Sequence, residues 1–185
     1  PIVCALWPVP RFGSPGSQAF FKHRKSPMNI FVLDKDITAC ARAHCDRHVH
    51  KMILESVQMM CTALNARGFE TPYRPTHANH PCVNWVAESY DNFLWLEQLA
   101  TELNREYRHR YERPEDHKSI GVLRKLAGMK YEGNGLTEFA QAMPDEYRIP
   151  GDAVTAYRRF YLAEKAPFAT WTRRNAPDWW LSHAA

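Results

Sequence analysis

His44-Cys45-Asp46-Arg47-His48-Val49-His50-Lys51-Met52-Ile53-Leu54-Glu55 is the stretch whose reading decides the fold. At 100° per residue, a helix over it gathers His44, His48, Lys51 and Glu55 within an arc of roughly 60°. Val49, Ile53, Val57 and Met60 occupy much of the remaining circumference, so the helix is apolar nearly all round and belongs in the centre of the molecule. Unpaired charge is costly to bury. A stripe of ionisable groups on a central helix must therefore satisfy itself, hold a metal or line a wet cavity.

Working outward, the pattern predicts a helix from about Ile37, capped by Asp34, Asp36 or Thr38, to Ala66, where Gly68 can take the left-handed conformation that ends a helix. Before it, Asn29-Ile30-Phe31-Val32-Leu33 is a short β-branched and aromatic run, one strand or an extended arm. After it, prolines 72 and 75 mark a loop, Asn79 or His80 can cap, and Pro81 suits the first turn of a second long helix reaching about Tyr111. Two stripes on that helix, one with Val86, Phe93 and Leu103 and the other with Trp85, Trp95 and Leu99, predict contact on two sides. A shorter helix is expected over 117–130, a loop over 141–147, and a last helix from Ala153 to Lys165 capped by Asp152. Trp171, Trp179 and Trp180 should fold back on the body, because three exposed tryptophans would make a sticky surface. The expected fold is all-α: a single domain of about four helices over residues 28–185, two of them long and central, with a short N-terminal extended arm. Residues 1–27 hold five of the thirteen prolines and a Gly-Ser-Pro-Gly-Ser run, and read as a flexible extension, with Met28 as the expected natural start.

Composition narrows the class. The chain has 185 residues, 45% of them hydrophobic, with six Trp, eight Tyr and nine Phe, which argues for one packed domain and against disorder. No apolar run is long enough to span a bilayer, so no membrane partner is expected. A formal charge of +4 is compatible with a polyanionic partner. Five cysteines without a CxxC pair fit a reducing compartment, and the expected location is cytoplasmic.

Two chemistries can be built on these residues. His44 and His48, four apart on a helix, have the spacing of a metal-binding pair. With His77 and His80 they would form a four-histidine set for zinc or a similar divalent ion. Asp46 points away from that pair. Alternatively Lys51, held among apolar neighbours and imidazoles, is an amine nucleophile with Glu55 as proton carrier, and no cofactor is required. Beside both stands a plain hydrogen-bonded His/Lys/Glu network, with Lys51 and Glu55 paired at four-residue spacing. His77, Asn79 and His80, on a loop and at a helix start, and Gln141, Asp145 and Tyr147, in a loop restrained by Met143-Pro144, are placed for contacts to bases, ribose or phosphate.

With the MNIF arm, the HCDxH helix, the HxNHP helix start and the QAMPDEY loop in view, residues 28–180 resemble a family of small bacteriophage proteins. Over roughly residues 28–111 the chain is also similar to the pyrimidine-dimer DNA glycosylases of the endonuclease V type. That resemblance implies an all-α fold that clamps DNA, distorts or flips a nucleotide, and cleaves the glycosidic bond through an imine with an N-terminal amine. It implies DNA as partner and DNA repair as role, in the cytoplasm of a host bacterium where the gene is a phage's. Two departures stand out. Asn29 follows Met28 where the family has a small residue, and the family's glutamate falls on His48, Lys51 or Glu55 depending on where a gap is placed.

The expected function is accordingly a nucleic-acid-processing enzyme acting at a base or glycosidic bond of DNA, as a glycosylase or lyase. His44, His48, Lys51 and Glu55 are its catalytic candidates, and His77, Asn79, His80, Gln141, Asp145 and Tyr147 its substrate-binding candidates. The alternatives are a metal-dependent phosphoesterase or nuclease built on the histidines and a non-catalytic DNA-binding accessory protein.

Overall fold

A computed structural model of the protein describes residues 28–184. The stretch 1–27, read above as an extension, lies outside the described residues. Among the described residues the chain is all-helical, without strands. Its helices are α1 (Ile37–Ala43), α2 (Asp46–Asn65), α3 (Pro81–Glu88), α4 (Tyr90–Arg110), α5 (Lys118–Lys125), α6 (Ala153–Lys165) and α7 (Asp178–Ala184), with a 3-10 turn at Asp145–Tyr147. The two long helices, α2 and α4, are central as expected, and one apolar core runs from the arm through to the C-terminal tryptophans. The helix count exceeds the expected four because both long predicted helices are broken and the tail adds α7.

The first break falls at His44-Cys45, inside the stretch that organises the sequence. Both residues are extended, His44 with ψ 136° and Cys45 with ψ 161°. Nothing in the local pattern forbids a continuous helix there. The interruption is instead held by distant groups that take over the backbone's hydrogen bonds. The Tyr161 hydroxyl accepts from Cys45 N at 3.0 Å, Thr170 O accepts from Asp46 N at 2.8 Å, and the Arg110 guanidinium donates to the carbonyls of Arg42 and His44, both at 2.8 Å. Helix-end carbonyls need such partners, and here a buried arginine from α4 provides them.

The second break, at Ser89, divides the predicted 81–111 helix. Ser89 is extended (φ −144°, ψ 143°), and its hydroxyl caps α4 by accepting from Asp91 N at 3.2 Å while donating to Gly135 O at 2.7 Å. Loop 131–137 is the reason. Asn92 Nδ2 donates to Trp85 O and to Thr137 Oγ1, both at 2.7 Å, and Gly133 O accepts from Tyr90 N at 3.2 Å. Gly133 is required by this packing: at φ 110° a Cβ would lie 2.8 Å from Glu88 O. Replacing buried Ser89 by alanine removes the cap and orphans the Gly135 carbonyl. We expect a loss of about 1–2 kcal/mol, read as a lower denaturation midpoint at unchanged slope.

Other boundaries follow local chemistry. Asp36 caps α1, accepting from Ala39 N at 2.7 Å. Pro81 opens α3 with His80 as its cap, and Asp152 caps α6 through Thr155 N at 3.0 Å. α2 ends at Asn65 with Gly68 left-handed just beyond (φ 81°). The third predicted helix is the shorter α5. Residues 28–33 are an extended arm rather than a strand, buried along their length and hydrogen-bonded mainly to side chains. Arg158 of α6 donates to Leu33 O at 2.7 Å, and Cys40 Sγ accepts from Leu33 N at 3.3 Å.

Candidate functional site

The break at His44-Cys45 divides the stripe. His44 is carried off the α2 face and fully buried, its Nδ1 donating to Cys40 O at 2.7 Å, which leaves Nε2 without a partner among the described residues. The expectation that His44 shares a helix face with the other three is thereby corrected. His48, Lys51 and Glu55 do lie together on α2, the helix whose first residue is Asp46.

His48 stacks on Phe31 of the arm, ring centroids 4.5 Å apart, and its Nδ1 bonds the Tyr161 hydroxyl at 2.7 Å. The same hydroxyl accepts from Cys45 N and donates to Cys45 Sγ at 3.3 Å. Burial depresses both imidazoles, His44 to about 4 and His48 to about 2, the latter assisted by nearby positive charge on Lys165, Lys51 and Arg47. They are neutral packing groups near pH 7. The unfolded chain takes up protons on them below about pH 6.5 while the folded chain does not. Stability therefore declines as pH falls from about 6.5 toward 4. The thermal midpoint should drop over that window, and His48→Gln, with no proton to gain, should flatten the drop. A wild-type midpoint unaffected by acidification would contradict this assignment.

Lys51 Nζ pairs with Glu55 Oε1 at 2.7 Å, and Glu55 Oε2 accepts from the backbone nitrogen of Asn29 at 3.3 Å. Glu55 is 8% exposed, and burial raises its pKa against the pull of Lys51 and the Asn29 amide. The Asn29 side chain is locked on every side. Its Oδ1 faces the Tyr157 hydroxyl at 2.9 Å and accepts from Ile30 N at 2.8 Å, and its Nδ2 donates to Ala142 O at 2.8 Å. Above Asn29 opens a cleft of about 370 Å³ walled by Phe31, His80, Met143, Arg148, Phe160 and Lys165. The buried carboxylate of Glu55 thus sits behind Asn29, a lining residue of a basic, aromatic cleft, and Lys51 is paired to it outside that lining. Arg148 and Lys165 come from the far end of the chain.

The substrate-binding candidates divide. His80 lines the cleft, its Nδ1 accepting from Cys82 N at 3.2 Å. His77, with φ 51°, and Asn79 are exposed on the same loop. Gln141 is occupied by its own loop: it donates to Ile149 O at 2.6 Å and accepts from Ile149 N at 2.8 Å. Asp145 pairs with Arg148 at 2.9 Å, and the Tyr147 hydroxyl donates to Glu164 at 2.9 Å. These three brace the loop that carries Met143 and Arg148 into the cleft. The structure does not assemble His44, His48, His77 and His80 into one ligand set, and among the described residues no three His, Cys, Asp or Glu side chains converge as metal ligands.

Asp46, which the sequence pattern directs away from the histidines, is the hub of a separate buried network. It accepts from Arg110 at 3.1 Å, from Thr170 Oγ1 at 3.0 Å and from Thr172 Oγ1 at 2.8 Å. Burial alone would raise its pKa, but the hydrogen bonds from Thr172, Arg110 and Thr170 hold it below the usual carboxylate range. Arg110 also bonds Glu106 at 3.0 Å, and Arg174 reaches both oxygens of Glu106, at 2.9 and 2.7 Å. This network fastens the tail across the break between α1 and α2, on a face that does not contribute to the cleft wall.

No helix among the described residues is long and apolar enough to cross a membrane. No curated protein and no solved structure matches the chain. A model of the family described as pyrimidine dimer DNA glycosylase does match over residues 28–119. Across the arm, α1 to α4 and the start of α5, the stretch that brings Asn29 and Glu55 together, the chain is similar to that glycosylase family.

Proposed function

We propose that the protein is a DNA-processing enzyme of glycosylase or lyase type, acting at a base or glycosidic bond in the cleft above Asn29. One observation carries this reading: a buried carboxylate, Glu55, is held by Lys51 and by the backbone of Asn29 next to an aromatic, basic cleft. Its raised pKa suits a group that gives a proton to a leaving base or to a sugar oxygen and takes one back. Phe31 and Phe160 supply apolar faces for a base or sugar lifted out of a duplex, Arg148 and Lys165 supply charge for flanking phosphates, and His80, neutral with Nδ1 as acceptor, offers its Nε2–H as a hydrogen-bond donor. His77 and Asn79 are rim contacts. His48 backs Phe31, and His44 serves as core. The similarity to the pyrimidine dimer DNA glycosylase family over 28–119 supports DNA damage as the substrate class.

The test is incubation of purified protein with ultraviolet-irradiated duplex DNA and with a duplex carrying an abasic site, following base release and strand incision. Release or incision that persists in chelator supports the proposal. Incision lost with chelator favours the metal-dependent nuclease. Binding without either reaction favours an accessory protein.

A further inference from the structure

The family match ends at residue 119, yet the polar end of the arm is fastened by residues beyond it. Tyr157 of α6 is fully buried, and its ring packs edge-on against Phe31, centroids 5.9 Å apart. Its hydroxyl has one proton, shared between Ala140 O at 2.7 Å and Asn29 Oδ1 at 2.9 Å, and it accepts from Ala142 N at 3.2 Å. Asn29 Nδ2 returns to the same loop by donating to Ala142 O at 2.8 Å. Asn29 and Ala142 line the cleft, and Tyr157, without exposed surface, stands behind them.

The position that Tyr157 imposes on Asn29 decides one of the bonds to Glu55. The Asn29 backbone nitrogen meets Glu55 Oε2 at 3.3 Å, just beyond the usual span of an N–H···O bond, so a small displacement is enough to lose it. Packing alone does not call for a hydroxyl here, since a phenylalanine ring fills the same space. Burying a hydroxyl costs free energy unless it is bonded, and the partners this one finds are the arm and the 140–142 loop. Tyr161, one turn further along α6, is equally buried, but its hydroxyl serves Cys45 and His48.

Resting on the role of Glu55 given above, we infer that Tyr157 is a positioning residue for the reaction: through the Asn29 side chain, its hydroxyl holds the arm's backbone nitrogen against the Glu55 carboxylate. Tyr157 itself touches no substrate. The segment after residue 119 thereby reaches the proton carrier as well as the cleft wall.

The experiment measures turnover of the full chain on ultraviolet-irradiated duplex DNA across pH, together with thermal midpoints, for wild type, Tyr157→Phe and Tyr161→Phe. The limb of the pH profile that disappears in Glu55→Gln identifies Glu55. In Tyr157→Phe, kcat should fall about 10-fold with KM within about twofold of wild type, less than the roughly 10²-fold that a 1 Å misplacement can cost. The Glu55 limb should also move to higher pH. Burial raises the Glu55 pKa and the bond from Asn29 N opposes it, so loosening that bond leaves Lys51 to oppose burial with less help. Tyr161→Phe removes a buried hydroxyl from the same helix without touching Asn29, so its midpoint should fall while the limb stays in place. Asn29→Ala cuts the same link at its other end and carries the test if Tyr157→Phe does not fold. It should move the limb in the same direction, and adding Tyr157→Phe to it should move the limb no further. An unmoved limb in either folded variant, or equal shifts in Tyr157→Phe and Tyr161→Phe, would overturn the assignment and leave the role of Glu55 intact. A wild-type profile without a Glu55-dependent limb would overturn that role and this inference with it. Neither base release nor incision by the wild-type protein would overturn the whole reading of the cleft.

Discussion

Arg110→Ala is expected to lower the unfolding free energy by about 3–5 kcal/mol, the usual cost of stripping one partner from a buried charge network. The Arg110 side chain has no exposed surface, and its guanidinium serves Asp46, Glu106 and the carbonyls of Arg42 and His44 together. Removing it leaves two carboxylates with reduced compensation and two helix-end carbonyls unpaired. Lysine should rescue little, because a single ammonium cannot reproduce a planar fork directed at several acceptors. Arg42 provides the contrast: it approaches the same Glu106 at 3.9 Å but its side chain is 57% exposed. Arg42→Ala should therefore cost no more than about 1 kcal/mol. Urea unfolding of the three variants measures this directly, and equal losses for Arg110→Ala and Arg42→Ala would mean that the network is not what holds the tail across the α1–α2 break.

Glu55→Gln should reduce turnover on damaged DNA by about 10²–10⁴-fold, the range for loss of a general acid or base. The change is nearly isosteric. The amide oxygen can still accept from Asn29 N, now 3.3 Å from Oε2, and Lys51, about a third exposed in its side chain, can turn to water. The thermal midpoint should hence stay within a few degrees of wild type, and DNA binding should be retained. A variant that is folded and fully active would remove Glu55 from the chemistry and reduce the Lys51–Glu55 pair to a structural tie. A variant that loses activity only in step with its fold would do the same. The pairing of the two readouts is what separates proton transfer from scaffolding.

Much was legible in the residues alone. The all-α class, the central position of the two long helices, the Asp152 and His80 caps, the α6 limits and the inward-folding tryptophans follow from periodicity and capping chemistry, which act within a few residues of chain. The Lys51–Glu55 pair was legible for the same reason, being one helical turn apart. Its counterpart across the fold was not. That Glu55 meets the Asn29 nitrogen, and that Phe31, Arg148 and Lys165 close a cleft over it, depends on bringing the arm, α2 and α6 together, for which no local pattern exists. The two helix breaks were hidden likewise. A continuous amphipathic pattern runs through both His44-Cys45 and Ser89, and what interrupts it is competition from distant donors and acceptors: Arg110, Tyr161 and Thr170 at the first, Gly133, Gly135 and Thr137 at the second. Sequence by itself determined which segments coil and that Lys51 pairs with Glu55 one turn away. The tertiary structure decided where those coils stop, because a backbone group released from a helix is stable only where a partner elsewhere in the chain is waiting for it.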